Sequence, residues 1–240
     1  MSRREDALAG SSALVTGASK GIGRAVAVAL ARSGVRVGAV SRSEADLAAL
    51  VEEIGGWALP CDVTDAGALR RSVARFEELA EGPPDLVVAS AGVFSLERAD
   101  ALTVGELDRH LDVNLRGAIL TAREVLPGLL RAGRGTLVLI GSVGGRKGLR
   151  GNAAYAASKF GLRGFHEVLL AELKGSGVRA TLLEPAATDT PIWDPLDPDE
   201  NPKLPSRSEM LRPEDVAEAV VFVATRPPEV QIPYLPIERA

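Results

Sequence analysis

The chain has 240 residues and a mass of 25.1 kDa, with 46% hydrophobic and 25% charged residues. That is the composition of one globular domain with a large core rather than of a fibrous or disordered chain. Its net charge of -4 carries no basic stripe, which argues against a nucleic-acid partner, and no apolar run approaches the about 18 residues a membrane-spanning helix needs. Cys61 is the only cysteine and there are two histidines, so no disulfide within the chain and no metal centre are expected.

Residues 1–6 carry charge with no apolar run behind them, so no secretory signal is expected and a reducing, cytoplasmic setting is. Short β-branched runs then alternate with longer amphipathic stretches. Strands are predicted at 12–16, 35–41, 57–61, 85–89, 135–140 and 178–183. Helices are predicted at 22–32, 44–54, 66–79, 106–130, 153–173 and 213–224, the last with proline in its first turn. Strands that are apolar on both faces and alternate with helices indicate an α/β, doubly wound parallel sheet of Rossmann type. No repeat or linker divides the chain, so it reads as one domain over 1–240. The stretch 185–212 stands apart, rich in proline and acids, and is expected to be a substrate loop.

The first strand hands over to the first helix through Thr16-Gly17-Ala18-Ser19-Lys20-Gly21-Ile22-Gly23-Arg24. Glycines there allow a tight turn and a close approach of backbone to a pyrophosphate, whose charge meets the free N–H groups of the helix N-terminus. A cofactor lacking a 2′-phosphate wants an acid at the end of the second strand, and Ser41-Arg42 stands there instead. Arg42, with Lys20 as a second cation, suits the 2′-phosphate of NADP(H). Tyr155 and Lys159 lie four apart on a predicted helix, which puts phenol and ammonium on one face a turn apart. Ser142 follows the fifth strand, at the edge where such sheets bind ligands. Asn114 sits in a predicted helix where asparagine is a mediocre former, and is as well read as a surface residue as a functional one.

These motifs together resemble the short-chain dehydrogenase/reductase family, in its compact single-domain branch, over nearly the whole chain. The resemblance implies a seven-stranded Rossmann-type sheet and hydride transfer between a nicotinamide cofactor and an alcohol or carbonyl. It maps the glycine signature to Gly17, Gly21 and Gly23, with Ser19 and Ile22 between them. The adenine-side acid falls on Asp62, followed by Val63, and the catalytic set on Asn114, Ser142, Tyr155 and Lys159. It also implies that Ser90, Ala91 and Gly92 line the cofactor, and that Tyr155, Lys159, Pro185, Thr188 and Thr190 contact its nicotinamide half. Three features depart from the family pattern: Ala89-Ser90-Ala91-Gly92 replaces Asn-Asn-Ala-Gly, Pro185-Ala186 replaces Pro-Gly, and prolines confine the C-terminal tail to an edge strand or coil. That tail looks like the one found in NADP-dependent reductases of hydroxy acids and small carbonyls.

The sequence is thus read as an NADP(H)-dependent oxidoreductase that interconverts an alcohol or hydroxy acid and its carbonyl, with Tyr155 as acid/base. The rival reading is a catalytically silent NADP-binding regulator on the same fold. An extended nucleotide-sugar epimerase is disfavoured, because only 81 residues follow Lys159. Lys159, a turn away, and the positive charge of an oxidised nicotinamide are together expected to draw the Tyr155 phenol toward neutral pKa. The substrate mouth is expected from residues 144–152 and from the proline-rich loop around Ile192, Trp193 and Leu196, read as a lid; Arg146, Lys147 and Arg150 fit a carboxylate grip and, at least as well, a solvated basic turn. A homodimer or homotetramer is expected through the helices near 106–130 and 153–173, where Ala153, Ala156, Ala157, Gly161 and Gly164 permit close backbone approach.

Overall fold

The computed structural model describes residues 8–240; the charged N-terminal residues read above lie outside them. Seven parallel strands form one sheet: β1 (Ser12–Thr16), β2 (Arg36–Ser41), β3 (Trp57–Pro60), β4 (Leu86–Ala89), β5 (Gly135–Ile140), β6 (Val178–Pro185) and β7 (Tyr234–Ile237). Their spatial order is β3-β2-β1-β4-β5-β6-β7. Seven α-helices cover its faces: α1 (Gly21–Arg32), α2 (Glu44–Ile54), α3 (Ala66–Ala80), α4 (Val104–His110), α5 (Gly117–Ala132), α6 (Ala153–Glu172) and α7 (Pro213–Ala224).

The continuous apolarity of β1 and β4 follows from this layering, since every residue in both is buried. Alternate side chains of one strand enter opposite layers. Leu14, Leu137 and Leu139 pack with Phe76, Val125, Leu129 and Leu162 of α3, α5 and α6, whereas Val15, Val138 and Ile140 pack with Val26, Leu30, Leu50 and Val220 of α1, α2 and α7. Local signals set several helix ends. Ser43 accepts a hydrogen bond from the Asp46 N–H to start α2, Asp65 caps α3, Gly55 ends α2 at φ 68°, and Pro213 opens α7.

The helical stretch predicted at 106–130 is three pieces, α4 and α5 joined by a π-helical turn at Leu111–Arg116. A widened turn of this kind is often found at a functional site, and it contains Asn114. Pro236 lies in β7, which pairs only with β6 at the sheet edge, where a missing N–H costs no ladder bond. The proline-rich stretch after β6 is ordered into short 3-10 turns at Pro191–Leu196 and Arg207–Glu209. β1 is flanked by β2 on one side and β4 on the other, so the chain's crossover direction reverses there and leaves a crevice above the carboxyl ends of the strands.

Candidate active site

The crevice is a cleft of about 1100 Å³. Every residue that the sequence assigns to cofactor binding or catalysis lines it except Asn114: Gly17, Ser19, Lys20, Gly21, Ile22, Gly23, Arg42, Asp62, Val63, Ser90, Ala91, Gly92, Ser142, Tyr155, Lys159, Pro185, Thr188 and Thr190.

At one end the loop after β1 forms a cradle that only glycine can close. A Cβ on Gly17, at φ 67°, would stand 2.7 Å from the Ala91 Cα, and one on Gly23 would stand 2.3 Å from the Gly17 carbonyl oxygen. Lys20 precedes α1 and makes no side-chain cap, so the first N–H groups of that helix remain open to an anion. Both observations fit a dinucleotide pyrophosphate. Thr16 ties the facing loop down, its Oγ1 accepting from the Ser90 and Ala91 N–H groups at 3.2 and 3.4 Å. The Asp62 carboxylate accepts from the Thr64 N–H and hydroxyl at 2.9 and 2.8 Å, which holds the turn after β3.

Arg42 and Lys20 flank the outer part of this end, but each faces an acid. Arg42 lies 3.8 Å from Asp62, and Lys20 lies 3.5 Å from Asp46, a cleft-lining residue in the first turn of α2 that the sequence reading did not include. Both pairs are long and exposed, so neither is worth much.

Deeper in the cleft, Ser142 ends the β5 strand and accepts from the Gly144 N–H at 3.0 Å, while Tyr155 and Lys159 project from the first turns of α6. The Lys159 amine is buried and donates to the Ile140 carbonyl at 2.9 Å. Burial pulls it down to about 8, because the charged form loses its hydration. It lies 5.7 Å from the centre of the Tyr155 ring. Lys159 alone does not draw the phenol down. Burial pushes Tyr155 above its usual value, and a hydrogen bond with Ser142 offsets only part of that.

Asn114 is fully buried behind the cleft rather than at the surface. Its Oδ1 accepts from the Val93 N–H at 2.7 Å, and its Nδ2 donates to the Val93 carbonyl and the Ser158 hydroxyl at 3.0 and 3.1 Å. It therefore pins the loop after β4 to α6, on which Tyr155 and Lys159 stand.

Residues 11–201 match the family model described as short chain dehydrogenase. The chain belongs to the short-chain dehydrogenase family. It is 36% identical over 227 residues to a D-threitol dehydrogenase of Mycolicibacterium smegmatis, covering 91% of this chain and 87% of that one. It is 34% identical over 229 residues to a (3R)-3-hydroxyacyl-CoA dehydrogenase of Canis lupus familiaris, covering 89% and 88%. A glycine betaine reductase of Emericella nidulans is 37% identical over 240 residues, which is 96% of this chain but only 19% of that protein. Among solved structures, one from Agrobacterium tumefaciens described as a gluconate dehydrogenase superposes with a TM-score of 0.88 at 26% identity, covering 96% of this chain and 95% of that one. The fold and the oxidoreductase class acting on alcohols and carbonyls, with a nicotinamide cofactor, are those of this family.

The mouth of the cleft is walled by aromatic rings. The Trp193 ring meets Phe94 edge-on at 4.8 Å, and Phe94 meets Tyr155 at 4.8 Å, so an aromatic wall runs from the Pro191–Leu196 turn down to the phenol. Ile192 lines the cleft with Trp193, whereas Leu196 does not. Arg207 straps that turn in place through Asp189 at 2.5 Å and Asp194 at 2.6 Å, with Asp199 at 3.9 Å. Arg146 does not serve the mouth. It pairs with the buried Glu184 at 3.3 Å and with Glu238 at 3.4 Å, because a buried carboxylate at the end of β6 must be met by charge, and Arg163 meets it from the other side at 2.8 Å. Of the basic turn, Arg150 lines the cleft and Lys147 does not. Asn152, in the cleft, falls in the 144–152 stretch expected at the mouth; Phe94, Asp46 and Arg207 carry no periodic or motif signal, and of the missed residues only Glu184, an acid ending an apolar run, could have been noticed.

Proposed function

We propose that this protein is an NADP(H)-preferring oxidoreductase that interconverts an alcohol or hydroxy acid and its carbonyl, with Tyr155 as the acid/base. The observation that carries the reading is the convergence of Ser142, Tyr155 and Lys159 in the same cleft as the glycine cradle. Gly17, Ser19, Gly21, Ile22 and Gly23 would hold the pyrophosphate, Asp62 and Val63 the adenine, and Ser90, Ala91 and Gly92 the middle of the molecule. Lys159 and Tyr155 would hold the nicotinamide ribose, and Pro185, Thr188 and Thr190 the carboxamide. When bound, the nicotinamide supplies or takes up the hydride.

Within that arrangement Ser142 donates a hydrogen bond to the substrate oxygen and fixes its direction. In reduction the Tyr155 hydroxyl gives its proton to that oxygen, a step that a phenol held un-ionised by burial is ready for. In oxidation Tyr155 must instead accept a proton, and the positive charge of the oxidised cofactor together with Lys159 favours its phenolate. Asn114 acts at a distance from the reacting atoms by holding the loop after β4 against α6.

Preference for NADP(H) rests on Arg42 and Lys20. A 2′-phosphate displaces two weak, exposed carboxylate pairings and offers each cation a doubly charged partner. Self-association belongs to the same reading: Phe160 and Val168 are exposed on one stripe of α6 beside Ala157 and Gly164. Gly161 is taken up inward, against Leu115. A sedimentation mass above the monomer is expected, in a reducing cytoplasmic setting.

The test is a panel of ketones, aldehydes and hydroxy acids assayed with NADPH, NADH, NADP⁺ and NAD⁺. Turnover with the phosphorylated cofactors is expected, and Arg42→Ala should weaken NADPH binding about tenfold to a hundredfold while sparing NADH. Equal affinity for NADH and NADPH in the unmodified protein would remove the cofactor assignment. Tight NADPH binding without turnover on any carbonyl would favour the silent regulator.

A further inference from the structure

Asn152 is the residue before α6, three positions ahead of Tyr155, and it lines the cleft although only 4% of it is exposed. Its side chain does not cap the helix. Its Oδ1 is buried with no hydrogen-bond partner among the described residues, an arrangement that destabilises an ordinary core. A buried, unpaired amide beside a catalytic tyrosine has no packing reason to be there, since leucine would fill the same space at no polar cost.

Its position relative to the reacting groups is set by Gly144. The point where a Cβ on Gly144 would sit is 3.3 Å from the Tyr155 Cε1, 3.4 Å from the Asn152 Nδ2 and 3.4 Å from the Ser142 Oγ. All three side chains reach that point, so the amide nitrogen lies no more than about 7 Å from the Ser142 hydroxyl. With each hydrogen bond taking about 2.8–3.0 Å, two oxygens carried on adjacent carbons can bridge groups that close. One oxygen meets Ser142 and Tyr155, and the other meets Asn152.

We propose that the Asn152 amide is a specificity-determining residue that binds a hydroxyl on the carbon next to the reacting carbonyl, which makes α-hydroxy ketones and vicinal polyols the substrate class. An amide offers a donor end and an acceptor end without charge, and the two ends exchange by a half turn. A hydroxyl both donates and accepts, and so satisfies either end, whereas a carboxylate only accepts. This inference rests on the oxidoreductase reading above.

The test compares 1-hydroxy-2-butanone with 2-butanone under saturating NADPH, and in parallel measures the binding of each ketone to the NADPH complex by calorimetry. The unmodified protein is expected to favour the hydroxyketone by about tenfold or more in kcat/KM, and Asn152→Leu to bring that ratio close to one by lowering the hydroxyketone value. Equal kcat/KM for the two ketones in the unmodified protein would overturn the proposal. So would an equal loss on both ketones in Asn152→Leu, which is the mark of a merely structural residue. If neither ketone is reduced, the oxidoreductase reading is what has failed. The calorimetric ratio then still decides for Asn152, with tighter hydroxyketone binding that Asn152→Leu abolishes upholding it and equal or undetectable affinities overturning it.

Discussion

Replacing Lys159 by methionine separates what its amine costs the fold from what it does in the cleft. Methionine keeps the unbranched stem but cannot be charged. In the folded protein the amine titrates at about 8 rather than 10.5, a difference of about 2.5 pH units, or about 3 kcal/mol of preference for the neutral form. A base whose pKa falls on folding penalises the folded state at any pH where the unfolded chain holds the proton. The penalty is therefore complete below pH 8 and fades as pH rises from 8 to 10.5. Loss of the 2.9 Å bond to the Ile140 carbonyl costs about 1–2 kcal/mol in the opposite sense. Lys159→Met should thus be the more stable protein by about 1–2 kcal/mol at pH 7 and lose that advantage by pH 10.5. Urea unfolding of both proteins at intervals from pH 7 to 10.5 measures it, because other titrating groups cancel in the difference. A methionine variant that is less stable at pH 7, or a difference that does not move with pH, would refute the reasoning.

Two further outcomes follow from the cleft. Tyr155 and Tyr234 are the only tyrosines, and burial is the leading cause that raises both. The cofactor-free protein should then show phenolate midpoints above the 10 of a free phenol, and addition of NADP⁺ should bring one tyrosine's transition to lower pH; a midpoint below 10 without cofactor would contradict the burial argument. Arg207→Gln removes the common partner of Asp189, Asp194 and Asp199. It should raise the KM for the carbonyl substrate several-fold while NADPH affinity holds, and an unchanged KM would show that the Pro191–Leu196 turn needs no strap.

Several elements were legible to the residue. The strand at Ser12–Thr16 and the helices at Glu44–Ile54 and Pro213–Ala224 coincide with their predicted bounds, because Ser43, Gly55 and Pro213 write the helix ends into the local sequence. The π turn at Leu111–Arg116 was not, since one widened turn leaves the apolar periodicity almost unchanged and the bond that Asn114 within it makes to Val93 is a contact across the fold. For the same reason Asn114 read equally as surface, and is buried. The cations at Arg42 and Lys20 were visible, but Asp46 reads in sequence as an ordinary first-turn acid of a helix and meets Lys20 only once β2 and α1 are packed together. Arg146 looked like part of a basic turn until β6 brought Glu184 beneath it. Phe94 sits on a loop, where neither period nor cap marks a side chain, and Asn152 reads in sequence as an ordinary residue ahead of a helix; only the folded cleft brings them beside Tyr155.

The measurement that reaches the reaction itself is single-turnover reduction by Tyr155→Phe, on a carbonyl that the unmodified protein reduces, with NADPH affinity measured in the same samples. Loss of the phenol proton should lower the rate by about 10²–10⁴ while NADPH binding falls far less, since Lys159, Arg42 and the glycine cradle keep their places in the cleft. A Tyr155→Phe protein that turns over at nearly the normal rate would show that the proton comes from another group.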